Sequence, residues 1–128
     1  MDWSLYSNFT RAELRCRSTN ECEMRPELME ILQSVRTEYG KIINISSGYR
    51  SPNHPIESMK VKPGEHALGL AVDILCYGAK AVDLTEMFFQ RGIRRFGFHQ
   101  KGNANARYIH VGLADKYFAE YPTAIWTY

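Results

Sequence analysis

Residues 65–74 read EHALGLAVDI. LGLAVDILC, residues 68–76, has the density of a buried strand, with Leu70, Val72 and Ile74 on one face and Ala71, Asp73 and Leu75 on the other. Asp73 is the anomaly. An ionised carboxylate buried in a strand costs several kcal/mol unless a partner offsets it. His66 stands at the head of the same ten residues, and Gly69 lets the backbone turn between the two.

Outward from this strand the chain alternates between readable elements. Toward the N-terminus, NFTRAEL predicts a short helix: Thr10 and Glu13 have capping-box spacing, and Phe9 with Leu14 has that of a hydrophobic staple. A second helix is expected to start at Pro26, a favoured first position. Its apolar residues Leu28, Ile31, Leu32, Val35 and Tyr39 recur at helical spacing, and Gly40 ends it. KIINIS, residues 41–46, alternates and is β-branched, as a strand does. The following 20 residues, SGYRSPNHPIESMKVKPGEH, hold two glycines and three prolines. A loop of that length in a compact domain is ordinarily functional or mobile.

Toward the C-terminus a third helix is expected over Ala79–Gln90, with Val82, Leu84, Met87 and Phe88 packing. RRFGFHQ and ARYIHVG then read as two strands joined through KGNAN, whose Gly and Asn suit a hairpin connection. The aromatic tail LADKYFAEYPTAIWTY is costly to leave in water and is expected to fold back on the domain. Helices in front of a largely antiparallel sheet make the fold class α+β.

The 128 residues suit one domain. A net charge of +2 and scattered Lys and Arg, with no basic stripe, argue against nucleic acid as the partner. No apolar run reaches the roughly 18 residues needed to span a bilayer. MDWSLYSNFT lacks the basic segment and apolar core of a secretory signal, so synthesis in a cytoplasm is expected. Three cysteines imply no closed disulfide framework, and Cys16 with Cys22 forms a single pair, so buried or free thiols are expected rather than a structural metal site.

The four histidines are His54, His66, His99 and His110. If the strands of Asp73 and His110 are neighbours, one sheet face presents both, and His66 at the mouth of the first strand completes a triangle. Two imidazoles and a carboxylate suit zinc, and three protein ligands leave a fourth position open, as in catalytic sites. A lone His beside a strand is ordinarily a core or surface residue and a lone Asp a turn cap, so H-x(6)-D by itself leaves both readings open.

SGYRSP (47–52), H-x(6)-D within EHALGLAVDI and YIHVG (108–112), in that order, resemble the zinc D-alanyl-D-alanine carboxypeptidase family. That family has a Hedgehog/DD-peptidase-like fold and includes peptidoglycan-cleaving carboxypeptidases and phage endolysins that cut L-alanyl-D-glutamate bonds. NFTRAEL and the helix before KIINISSGYR share the resemblance, which runs from about Asn8 to Gly112. The compact length, without a separate wall-binding domain, resembles the phage versions.

The resemblance implies zinc as cofactor, held by His66, Asp73 and His110, and a peptidoglycan peptide as substrate. It implies that Arg50 points its guanidinium into the site, where a planar fork suits a carboxylate or an oxyanion; the structural alternative is an ion pair that holds the loop. The general acid/base departs from the family pattern. Relatives carry a carboxylate three residues before the last ligand, a histidine two before it or an aspartate two after it. Here those positions are Arg107, Tyr108 and Gly112. Asp115 and His99 are the expected substitutes, ahead of Glu65, whose side chain points away from that of His66 on an extended chain, and of His54. The missing group leaves a second expectation, a catalytically impaired peptidoglycan-binding or virion structural module that keeps the fold.

Overall fold

The capping box forms as its spacing predicts. Thr10 N–H donates to Glu13 Oε1 at 3.1 Å, and Glu13 N–H to Thr10 Oγ1 at 3.3 Å. This starts helix α1 (Arg11–Leu14) and buries Phe9 and Leu14 together in the core. The computed structural model describes residues 1–128. After α1 come helix α2 (Pro26–Tyr39), strand β1 (Asn44–Ser47), strand β2 (Ala71–Leu75) and helix α3 (Gly78–Gln90). Strands β3 (Arg95–His99), β4 (Tyr108–Gly112) and β5 (Ala124–Thr127) complete the chain.

The five strands are ordered β1-β2-β4-β3-β5. All neighbours are antiparallel except β3 and β5, which run parallel. The fold is therefore α+β with a mostly antiparallel sheet, as the sequence implies. Strand alternation divides each strand between two faces. Val72, Ile74, Ile109, Val111 and Phe96 are buried in one core with Leu28, Leu32 and Val35 of α2 and Leu84 and Phe88 of α3. Fully burying one such side chain stabilises by about 1.5–3 kcal/mol. The opposite face carries Asp73, Tyr108, His110, Arg95 and His99.

Several elements differ in detail from the expectation. β1 starts at Asn44 rather than Lys41: its register partner Leu75 is the last residue of β2, and beyond it the Cys76 N–H donates to the Arg107 carbonyl. In α3 the buried positions are Ala81, Leu84 and Phe88, which share one face, whereas Val82 is 67% exposed. The link between β3 and β4 contains a 3-10 turn at Ala104–Ala106, a wider connection than a tight hairpin. The tail folds back as expected, and does so as a strand, with Trp126 paired to Gly97. No helix is long and apolar enough to cross a membrane. All three cysteines are free, with Cys16 and Cys76 buried.

β2 starts at Ala71 rather than Leu68, because the residues leading into it form a 3-10 turn, Glu65–Leu68, closed by Gly69 at φ +71°. A Cβ at position 69 would strike the Glu23 carbonyl oxygen, and the Gly69 carbonyl accepts from Arg25 N–H at 3.0 Å. Gly69→Ala combines left-handed strain of about 1–2 kcal/mol with this backbone clash, so a total loss of at least about 2 kcal/mol is expected. Urea unfolding measures it, and an unchanged midpoint would contradict the account.

Candidate metal centre

β2 and β4 set Asp73 directly opposite His110. His110 Nδ1 lies 3.0 Å from Asp73 Oδ1. His66 arrives from the 3-10 turn, with Nε2 at 3.3 Å from the same oxygen. The two imidazoles meet edge to face, with centroids 5.0 Å apart. One ligand atom from each of His66, Asp73 and His110 lies within 4.8 Å of the others.

The remaining ring nitrogens are occupied, which orients both imidazoles. His66 Nδ1–H donates to the Gly48 carbonyl at 2.8 Å and leaves Nε2 facing the triangle. His110 Nε2–H donates to Glu65 Oε1 at 2.7 Å and leaves Nδ1 facing it. Ligating histidines are ordinarily fixed in this way, through the nitrogen that does not bind metal. Two imidazole nitrogens and a carboxylate oxygen, all convergent, fit a divalent transition ion and leave room for another ligand.

The charges follow the same geometry. Burial pushes the Asp73 carboxyl upward, but hydrogen bonds and charge from His110 and His66 outweigh it and hold the pKa well below the usual carboxylate range. Burial likewise opposes ionisation of Glu65, and His110, the Ala114 N–H and Arg95 overcome it, so its pKa is lowered. Burial disfavours charged His110, yet Asp73 and Glu65 together raise its pKa.

The triangle opens into a cleft of about 320 Å³, walled by Arg50, Lys60, Arg95, Tyr108, Trp126 and Tyr128. Arg50 lines the cleft and also pairs with Glu57 at 3.6 Å, so the structural ion pair that holds the loop is present. A larger apolar hollow of about 780 Å³ lies on the other side of the sheet, between α3 and β3–β5. It has the greater volume but no convergent ligating groups, so the chemistry belongs to the smaller cleft.

The expected acid/base substitutes lie elsewhere. His99 stacks on its register partner Tyr108, with centroids 5.1 Å apart, and His110 faces Gly97 instead. Asp115 accepts from Thr123 Oγ1 at 2.9 Å in the turn after β4. Neither lines the cleft. His54 Nδ1 accepts from Ile56 N–H and borders a neighbouring hollow. Glu65, ranked behind them, is at the centre, because residues 65–68 form a turn rather than extended chain and both Glu65 and His66 reach inward.

Sequence reasoning also missed Glu57, Arg95 and Trp126. Strand alternation places Arg95 on the face of His99 and was the available signal for it. Glu57, buried within the long loop and held ionised by Lys60 and the Gly64 N–H, had none.

The family model described as Peptidase M15 matches residues 7–112, which include Arg50, His66, Asp73 and His110 and stop before β5. Among curated proteins no match is found.

His66→Ala and Asp73→Ala are each expected to abolish stoichiometric metal uptake, read by equilibrium dialysis and elemental analysis; full occupancy in both would remove the ligand assignment. Because the metal-free site holds His110 protonated above its ordinary range, a metal must displace that proton. Apparent affinity is therefore expected to fall as the pH is lowered through the range, above that of an ordinary imidazole, in which His110 gains its proton, approaching tenfold per unit once it is protonated. A pH-independent affinity over that range would contradict the coupling.

Proposed function

The chain belongs to the peptidase M15 family of metallopeptidases, and on that premise we propose that it is a zinc-dependent peptidase hydrolysing peptide bonds of bacterial peptidoglycan. The activity would be that of a D,D-carboxypeptidase or an endolysin-type endopeptidase, of phage origin and acting on the cell wall, carried there in the virion or released at lysis. The observation that carries the reading is the convergence of His66 Nε2 and His110 Nδ1 on Asp73 Oδ1 in a cleft that also receives Arg50. Zinc matches a donor set of two imidazoles and one carboxylate. When bound, it supplies a Lewis acid that activates water and polarises a carbonyl.

The chain's own groups account for binding and orientation. The Arg50 fork suits a carboxylate of the peptide or the oxyanion that forms as its carbonyl is attacked. Burial, with Tyr128 and Asp73 nearby, pushes the Tyr108 phenol up to about 12. It therefore remains a neutral hydrogen-bond donor at the cleft wall. Trp126 and Tyr128 add an apolar side against which a short side chain such as that of alanine packs.

A second reading has an observation in its favour. Within the cleft every carboxylate outside the ligand set is engaged: Glu65 by His110, Arg95 and Ala114, and Glu57 by Lys60, Gly64 and Arg50. A hydrolase needs a group free to move protons. A peptidoglycan-binding or virion structural module that keeps the fold does not.

Zinc-loaded protein incubated with purified sacculi separates the two. Release of new amino groups, lost on chelation and restored by zinc, is expected for the peptidase; co-sedimentation with sacculi without such release would favour the binding module. D-alanyl-D-alanine as a parallel substrate tests action on a free dipeptide. For the peptidase, Arg50→Ala is expected to lower kcat/KM by about 100-fold, the scale of losing one oxyanion donor.

A further inference from the structure

Gly112 lies two residues after His110 on the same face of β4. A Cβ at position 112 would fall inside the Glu65 carboxylate. The space that a side chain there would occupy is thus filled from another element, the turn before β2. We propose that Glu65 is the positioning carboxylate of the metal centre: reaching across Gly112, it holds the His110 ring with Nδ1 toward the metal.

The hydrogen bonds argue for positioning rather than proton transfer. Oε1 accepts from His110 Nε2–H at 2.7 Å. Oε2 accepts from Arg95 Nε–H at 3.0 Å and from Ala114 N–H at 2.9 Å. Both oxygens are engaged and the side chain is 3% exposed, so the carboxylate cannot rotate without breaking a bond to a buried donor. Arg95 is itself braced: its Nη1 donates to the Pro122 carbonyl, and its guanidinium packs over Trp126 at 5.2 Å. The brace therefore runs from the tail segment, outside the matched family span, through Arg95 and Glu65 to a ligand.

This pairing also explains the glycine. A carboxylate on β4 itself and Glu65 cannot occupy the same space, so position 112 and position 65 are alternatives. The inference rests on His66, Asp73 and His110 binding metal, and the experiment keeps the two claims apart.

Zinc affinity is measured by chelator competition for wild type, Glu65→Gln, Glu65→Ala, Gly112→Ala and the double variant Glu65→Ala/Gly112→Asp. Ring nitrogen NMR of the zinc-loaded wild type reads which His110 nitrogen carries metal. Expected are Nδ1 bound with Nε2 protonated, and a loss of about 10–100-fold in affinity for Glu65→Gln and Glu65→Ala. The amide of Glu65→Gln keeps the shape but turns an NH₂ toward a donor. Gly112→Ala keeps the charge, displaces Glu65 and is also expected to weaken binding. The double variant is expected to regain at least about tenfold of the loss, because it returns a carboxylate to the vacated space.

Wild-type affinity in Glu65→Gln, or metal on His110 Nε2, would overturn the positioning role. A wild type that takes up no zinc would instead overturn the metal site itself. If Glu65→Ala does not fold, Glu65→Gln and Gly112→Ala decide. A purely structural Glu65 would lower the melting temperature and leave the affinity of the folded fraction unchanged.

Discussion

The register of β2 on β4 is the constraint on which the rest depends. It sets Asp73 opposite His110 and, by the same alternation, Val72 opposite Val111 in the core. Side-chain period is two, so a slip of one residue would carry the carboxylate into the apolar layer and the valines into the cleft. The core therefore enforces the site. Burial of Val72, Ile74, Ile109 and Val111 against α2 and α3 selects the one register that brings the two ligands together.

Once the pair is formed, the electrostatics follow from closeness. Asp73 and Glu65 are both shielded from water, and each is offset by imidazole or guanidinium within hydrogen-bonding distance. Removing one member leaves a buried charge without its partner, which costs more than the pair contributes. The cluster is accordingly a poor source of folding stability and a good source of specific geometry. Each imidazole has one nitrogen fixed from behind, His66 by a backbone carbonyl and His110 by a carboxylate.

The long segment between β1 and β2 does more than connect them. Gly48 supplies the carbonyl behind His66, Arg50 reaches the cleft, and Glu57 gathers Lys60, Gly64 and Arg50 around one buried carboxylate. At the other end of the chain, β5 adds Trp126 to the cleft by pairing parallel with β3, where Gly97 leaves space for the indole. The open face of the sheet is thus closed by irregular chain on one side and by the tail strand on the other.

The sequence by itself determined the α+β class, the capping box, the three helices and the triangle of His66, Asp73 and His110. The first three follow from local periodicity and capping chemistry; the triangle was named from motif spacing read against a family resemblance, and its closure depends on β2 and β4 being neighbours. Tertiary structure decided the rest. Glu65 could be placed only once residues 65–68 were seen to be a turn, and Gly112 explained only once that side chain was seen to fill the space above it. His99 and Asp115 looked equally available because sequence distance does not say which neighbour a strand residue meets: His99 meets Tyr108, and Gly97 meets His110. Arg95, Trp126 and Glu57 act through partners about 30 residues or more away, or across a loop with no regular pattern. Contacts of that kind are fixed by packing, which local pattern does not encode.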